Sequence, residues 1–155
     1  MLNRFTLLIS CVFICAGCDG TQQQSTRSLN DILNLNGGQV ERQFEPDQIE
    51  RGASIYQTHC ENCHGKDAQG TPEWRKPKAD GKFPPPPLNG TAHTWHHSTA
   101  VLKHTILNGG PPEVSTMPAW KDILTEQQVD DVIVWIKSLW SDEIYASWYQ
   151  NIEER

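Results

Sequence analysis

Cys60 and Cys63 are separated by Glu61 and Asn62 and followed directly by His64. Two thiols at that spacing sit on about one turn of chain, and the next residue carries an imidazole beside them. Such a group can close a disulfide, supply half of a zinc site, act as a redox dithiol, or attach a haem whose iron takes the histidine. A structural zinc needs two more ligands. His59, His93, His96, His97 and His104 are the candidates, and their number alone leaves that use open. A thioredoxin-like pair needs a parallel sheet, and no segment alternates as a strand does. Haem attachment has a direct physical rationale. Both thiols reach the two vinyl groups on one porphyrin edge, and the imidazole is carried beneath the iron.

A second axial ligand is then sought. Met117 is the only methionine apart from Met1, and it precedes Pro118 in a loop, where a packing methionine is less common than on a helix. A thioether opposite an imidazole favours reduced iron and raises its potential. With both axial positions taken by protein, the iron suits electron transfer and not bond chemistry. The alternative sixth ligand is a second histidine, from among His93, His96 and His97.

The N-terminus points to export. Arg4 is followed by an apolar run from Phe5 to Ala16, too short for a bilayer core of roughly 30 Å but suited to a secretory signal. The run ends in Cys15-Ala16-Gly17-Cys18, which resembles the lipobox of bacterial lipoproteins, although Cys15 stands where leucine is usual. The resemblance implies cleavage after residue 17 and acylation of Cys18. Acyl chains at about 0.8 kcal/mol per buried methylene would anchor the protein firmly. Asp19 resembles the signal that retains such lipoproteins at the inner membrane. The remaining cysteines are then Cys60 and Cys63 alone, in an oxidising compartment where free thiols do not persist. The formal charge of −6 becomes one unit more negative once Arg4 leaves, which argues against nucleic acid and is compatible with a basic protein partner.

The mature chain divides into a polar tether at 18–44, a domain at 45–140 and an extension at 141–155. Pro46-Asp47 suits a helix start, and Ile49, Gly52, Ala53 and Tyr56 give that helix a face of apolar and small residues running into Cys60. Residues 66–90 hold Pro84-Pro85-Pro86-Pro87 and form a long loop. Ser98 caps a helix through about Asn108, with Val101, Leu102, Thr105 and Ile106 inward. Thr125 and Gln128 form a capping box for the last domain helix, whose stripe is Val129, Val132, Ile133, Ile136 and Leu139. The domain is therefore expected to be all-α, three to four short helices with long loops. So thin a core would be completed by a large apolar ligand.

These features together resemble the class I c-type cytochromes. The matching residues are Gly52 and Tyr56, Cys60-Glu61-Asn62-Cys63-His64-Gly65, Pro87-Leu88-Asn89-Gly90, Met117-Pro118 and Val132-Ile133-Val134-Trp135-Ile136. The resemblance implies the cytochrome c fold wrapped around one covalent haem c. It further implies that the first and last helices cross closely at Gly52, and that the proline before Leu88 offers its carbonyl to the ligand imidazole; Pro87 is the residue chosen. The implied role is electron carrier and not enzyme, with redox proteins as donor and acceptor, and with neither nucleic acid nor a small-molecule substrate. Its place would be the periplasmic face of the bacterial inner membrane. Two other readings stay open: a haem subunit of a larger dehydrogenase or oxidase complex, and a peroxidase-like or gas-sensing protein. The stripe Ile144, Tyr145, Trp148, Tyr149 and Ile152 is either a helix folded back on the domain or a docking element.

Overall fold

Pro46 opens the first helix, α1 (Pro46–His59), at a position where its missing N–H costs nothing, with Asp47 in the first turn. The computed structural model describes residues 40–155; the signal segment at 1–17, Cys18 and the tether through residue 39 lie outside the described residues. A single turn, α2 (Glu61–His64), follows α1 almost without a break. After the proline-rich loop come a 3₁₀ turn (His93–His96) and α3 (Thr99–Asn108). The remaining helices are α4 (Glu126–Ser138) and α5 (Asp142–Trp148), the latter ending in one π turn (Tyr149–Glu153). No strand occurs among the described residues, so the all-α expectation holds. None of the described helices is long and apolar enough to cross a membrane.

The α1–α4 crossing sets the architecture. A Cβ at Gly52 would lie 2.1 Å from the Asp131 carbonyl oxygen and 2.7 Å from Trp135 Cβ, so the helices meet where only glycine fits. One turn on, Tyr56 is fully buried with its ring centroid 4.1 Å from that of Trp135. The buried carboxylate of Asp131 accepts from Arg51 Nε and Gln127 Nε2, each at 2.9 Å, which satisfies a charge that would otherwise be costly there. The capping box of α4 is formed in both directions between Thr125 and Gln128. Val129, Val132, Ile133 and Ile136 are buried as the stripe requires, whereas Leu139, at the C-cap, is exposed.

One boundary differs from the sequence reading. Residues 40–44 are packed on the domain and are not tether. The Arg42 guanidinium donates to the Lys137 and Trp140 carbonyls at 3.3 and 2.6 Å and pairs with Asp142 at 2.8 Å, meeting acceptors that the end of α4 leaves over. Phe44 meets Tyr145 edge-on at 5.4 Å. The extension folds back on the domain, the first of the two readings that its sequence offered. Ser141 caps α5, Tyr145 and Trp148 are buried, and the Trp148 indole N–H donates to the His97 carbonyl at 2.9 Å. Its aromatic stripe is spent on the domain's own core.

Candidate functional site

The Cys60–His64 motif is placed by the junction of α1 and α2. Cys60 closes α1 by donating to the Tyr56 carbonyl, and the N–H groups of Cys63 and His64 return to the Cys60 carbonyl at 3.1 and 2.9 Å. The Tyr56 hydroxyl donates to the Gly65 carbonyl at 2.6 Å and fixes the exit of the turn. The two thiols are free, Cys63 exposed and Cys60 half-buried. Burial, with Cys63 nearby, pushes the Cys60 thiol up to about 11.

His64 is held by its other ring nitrogen. Nδ1 lies 2.9 Å from the Pro86 carbonyl oxygen, and since a carbonyl only accepts, Nδ1 carries the proton. Nε2 therefore keeps its lone pair for a metal. Burial lowers the imidazole's proton affinity further, against the opposing pull of the Pro86 carbonyl. The carbonyl belongs to Pro86 and not to Pro87, which corrects the sequence choice. Successive carbonyls of an extended run point different ways, and Pro87's accepts from Thr94 Oγ1 at 2.9 Å instead. The run is pinned by the Leu88 N–H to the Ala68 carbonyl and by the Thr71 N–H to the Pro85 carbonyl. Gly70, at φ +66°, lets it pass, since a Cβ there would be 2.3 Å from Pro87 N.

Cys60, Cys63, His64 and Met117 all line one apolar cavity of about 760 Å³, within the roughly 300–1,000 Å³ typical of cofactor sites. Met117 comes from a loop that cannot slide. Its carbonyl accepts from Gly110 N–H at 3.1 Å, its N–H donates to Ser115 Oγ at 3.1 Å, and Trp120 N–H returns to the Ile106 carbonyl. Val101, Leu102, Thr105 and Ile106, the inward face expected of α3, form another wall, with Val132, Ile133 and Ile136 of α4 beside them. His93 and His97 also reach the cavity, whereas His104 is hydrogen-bonded to Asn108 on the exposed face of α3. Trp74, Arg75 and Phe83 complete the wall, and sequence reasoning missed them because the loop that carries them has no periodicity to read. Among the described residues no group of three or more His, Cys, Asp or Glu side chains is placed to hold a metal, so the zinc reading finds no ligand set there. A large flat apolar ligand stapled by two thiols and ligated by one imidazole fits these residues.

An all-α chain wound around an apolar cavity, with C-x-x-C-H in its wall, is a c-type cytochrome domain, a class that carries haem c covalently and transfers electrons. The chain belongs to the family described as cytochrome c oxidase, cbb3-type, subunit III, whose model matches residues 47–136. It is 28% identical over 79% of its length to the cbb3-type cytochrome c oxidase subunit CcoP of Azospirillum sp. (strain B510). It is 32% identical, again over 79%, to subunit FixP of Bradyrhizobium sp. (strain ORS 278). In both comparisons the chain spans 38% of the relative's length. The fold is similar to that of cytochrome CL from the marine methylotroph Methylophaga aminisulfidivorans MPT, at a TM-score of 0.50 and 22% identity, covering 84% of this chain and 78% of that one.

Proposed function

We propose that this chain is an electron carrier with one haem c, attached through Cys60 and Cys63, with His64 and Met117 as axial ligands. The observation that carries the proposal is the convergence of these four side chains on one apolar cavity, with the His64 ring already fixed by Pro86. When bound, the haem supplies a one-electron couple. The protein's own part is to hold that couple steady. The Pro86 carbonyl orients His64 and raises its basicity as a ligand. The zipped loop at 110–120 presents a soft thioether that stabilises the reduced state. The apolar walls exclude water, and two protein ligands leave no position for oxygen or a substrate.

Acylation at Cys18 would place the carrier on the periplasmic face of the bacterial inner membrane. There it would pass electrons between redox proteins, neither acting on a small-molecule substrate nor binding nucleic acid. Membership of an oxidase-subunit family supports a second reading, a haem-bearing subunit held permanently in a respiratory complex. The test is purification of the protein after maturation in a periplasm. The mass should show one added tetrapyrrole, acid–acetone should fail to extract the pigment, and the reduced protein should be inert to carbon monoxide. Carbon monoxide binding would favour a gas-binding haem protein, extractable pigment would refute attachment, and co-purification of a stable partner would favour the subunit reading. Substitution Cys18→Ala should release the protein from membranes.

A further inference from the structure

Besides His64, four side chains in the cavity wall can carry positive charge: His59, Arg75, His93 and His97. His59 belongs to the attachment segment, and its ring rests edge-on against Trp120 at 5.2 Å. The other three come from the proline-rich loop, the 3₁₀ turn after it and that turn's C-cap, and they are assembled as a stack. The Arg75 guanidinium lies 4.4 Å from the Trp74 ring centre, Trp74 stacks on His93 at 5.0 Å, and His97 meets His93 edge-on at 5.5 Å. Within that stack His93 Nδ1 is buried without a hydrogen-bond partner, which is costly for either tautomer, and once protonated the ring needs an acceptor there. Among the described residues no carboxylate pairs with Arg75, His93 or His97. Burial lowers the His93 proton affinity, and His97, His96 and Arg75, all potential cations, lower it further. A cluster of groups able to carry positive charge therefore borders an apolar cavity without an anion to match it.

A haem brings its own anions. Its two carboxylates leave the porphyrin from the edge opposite the vinyl groups, so stapling the vinyl edge to Cys60 and Cys63 directs them away from the attachment segment. We propose that Arg75, His93 and His97 seat the haem carboxylates, and that His93 releases a proton when the iron is oxidised. This rests on the haem attachment proposed above. In the reduced protein the His93 imidazolium pairs with a carboxylate. Oxidation removes one electron, to an electrode or a partner protein, and adds one positive charge within the same cavity. That charge repels the imidazolium, which releases one proton to bulk water and becomes neutral imidazole. Arg75 keeps its charge throughout, so the carboxylates stay held in both states. His93 thus binds its proton more tightly in the reduced protein. By linkage the midpoint potential falls as pH rises between the two His93 pKa values and is flat outside them.

The experiment is potentiometric titration of the matured haem protein at about pH 5 to 8, the range in which histidine changes charge, with wild type beside His93→Gln and His104→Gln. A tenfold difference in proton affinity between oxidation states is expected in wild type, a fall of about 59 mV for one electron. His93→Gln should lose most of that fall, and His104→Gln, on the exposed face of α3 outside the cavity, should keep it. A pH-independent wild-type potential, or a His93→Gln profile matching wild type, overturns the proposal. If His93→Gln fails to mature, the His93 ring protons are titrated by NMR in oxidised and reduced wild type. A higher pKa in the reduced state supports the proposal, and equal values overturn it. Mass spectrometry of each sample separates the two levels of inference. A flat potential in a haem-loaded protein refutes the role of His93 alone, whereas a chain without added haem refutes the reading beneath it.

Discussion

The α1–α4 crossing and the cavity wall are built by opposite means. At the crossing, regular helices interlock through Gly52, Tyr56, Asp131 and Trp135, and every contact is fixed by helical spacing. The wall around Met117 and the prolines has little regular structure and is held by single hydrogen bonds from backbone to backbone, such as Gly110 N–H to the Met117 carbonyl and Leu88 N–H to the Ala68 carbonyl. The crossing supplies stability. The wall supplies chemistry, because loops can bring a thioether, a carbonyl and a cationic stack to positions no single helix offers. Substitutions should therefore separate: those in the crossing change the melt, and only those at wall residues proposed to hold the haem change its spectrum.

The largest effect is expected at Gly52. Gly52→Val drives a branched side chain into the Asp131 carbonyl and should cost more than about 3 kcal/mol, read as a loss of folded haem protein or a large drop in the urea midpoint. Asp131→Asn comes next, at about 2 kcal/mol near neutral pH. Burial raises the Asp131 proton affinity, but hydrogen bonds from Arg51, Gln127 and Gln48 outweigh it and hold the carboxyl below its usual range. Its contribution is complete above the unfolded value of about 3.9 and is lost as pH falls through the lower folded value. Urea melts of wild type and variant should accordingly converge in strong acid, and a constant gap would contradict the assignment.

In the wall, Thr94→Val removes one hydrogen bond to the Pro87 carbonyl and should cost about 1 kcal/mol. The visible spectrum should not change, because Pro86 and not Pro87 holds His64. A shifted spectrum would show that the two carbonyls act together. The smallest effect at neutral pH is expected for Lys137→Met, within about 1 kcal/mol of wild type. The Lys137 ammonium is buried at the end of α4, bonded to Thr99 Oγ1 and 4.0 Å from the centre of the Trp148 ring, and burial pushes it down to about 8. A folded pKa below the unfolded value of about 10.4 means that wild-type stability gains from this group as pH rises between the two. Lys137→Met should lack that gain, which paired melts at neutral and alkaline pH will show.

The same division explains what was legible in the sequence. The helices were readable because caps and periodicity are local: Thr125 with Gln128, Ser98 before Val101, and Gly52 four residues before Tyr56. The C-x-x-C-H motif was readable because it sits within five residues. Pro86 was not separable from Pro87, since four consecutive prolines carry no local cue to which carbonyl faces the ring. Arg42, Trp74, Arg75 and Lys137 were missed for a related reason. Their roles depend on partners far along the chain, such as the Trp140 carbonyl for Arg42 and Trp148 for Lys137. The extension's aromatic stripe left two readings open in sequence because it has no partner nearby; the partners are Phe44, Trp140 and the His97 carbonyl.

The central claim is that one porphyrin sits in this cavity between the nitrogen of His64 and the sulfur of Met117. The most direct measurement is the far-red absorption of the oxidised, matured protein, wild type beside Met117→Ala. A sulfur–iron band present in wild type and absent from the variant, with haem still covalently attached in both, is the result this account predicts. A wild-type protein without that band, or a variant that retains it, would contradict it.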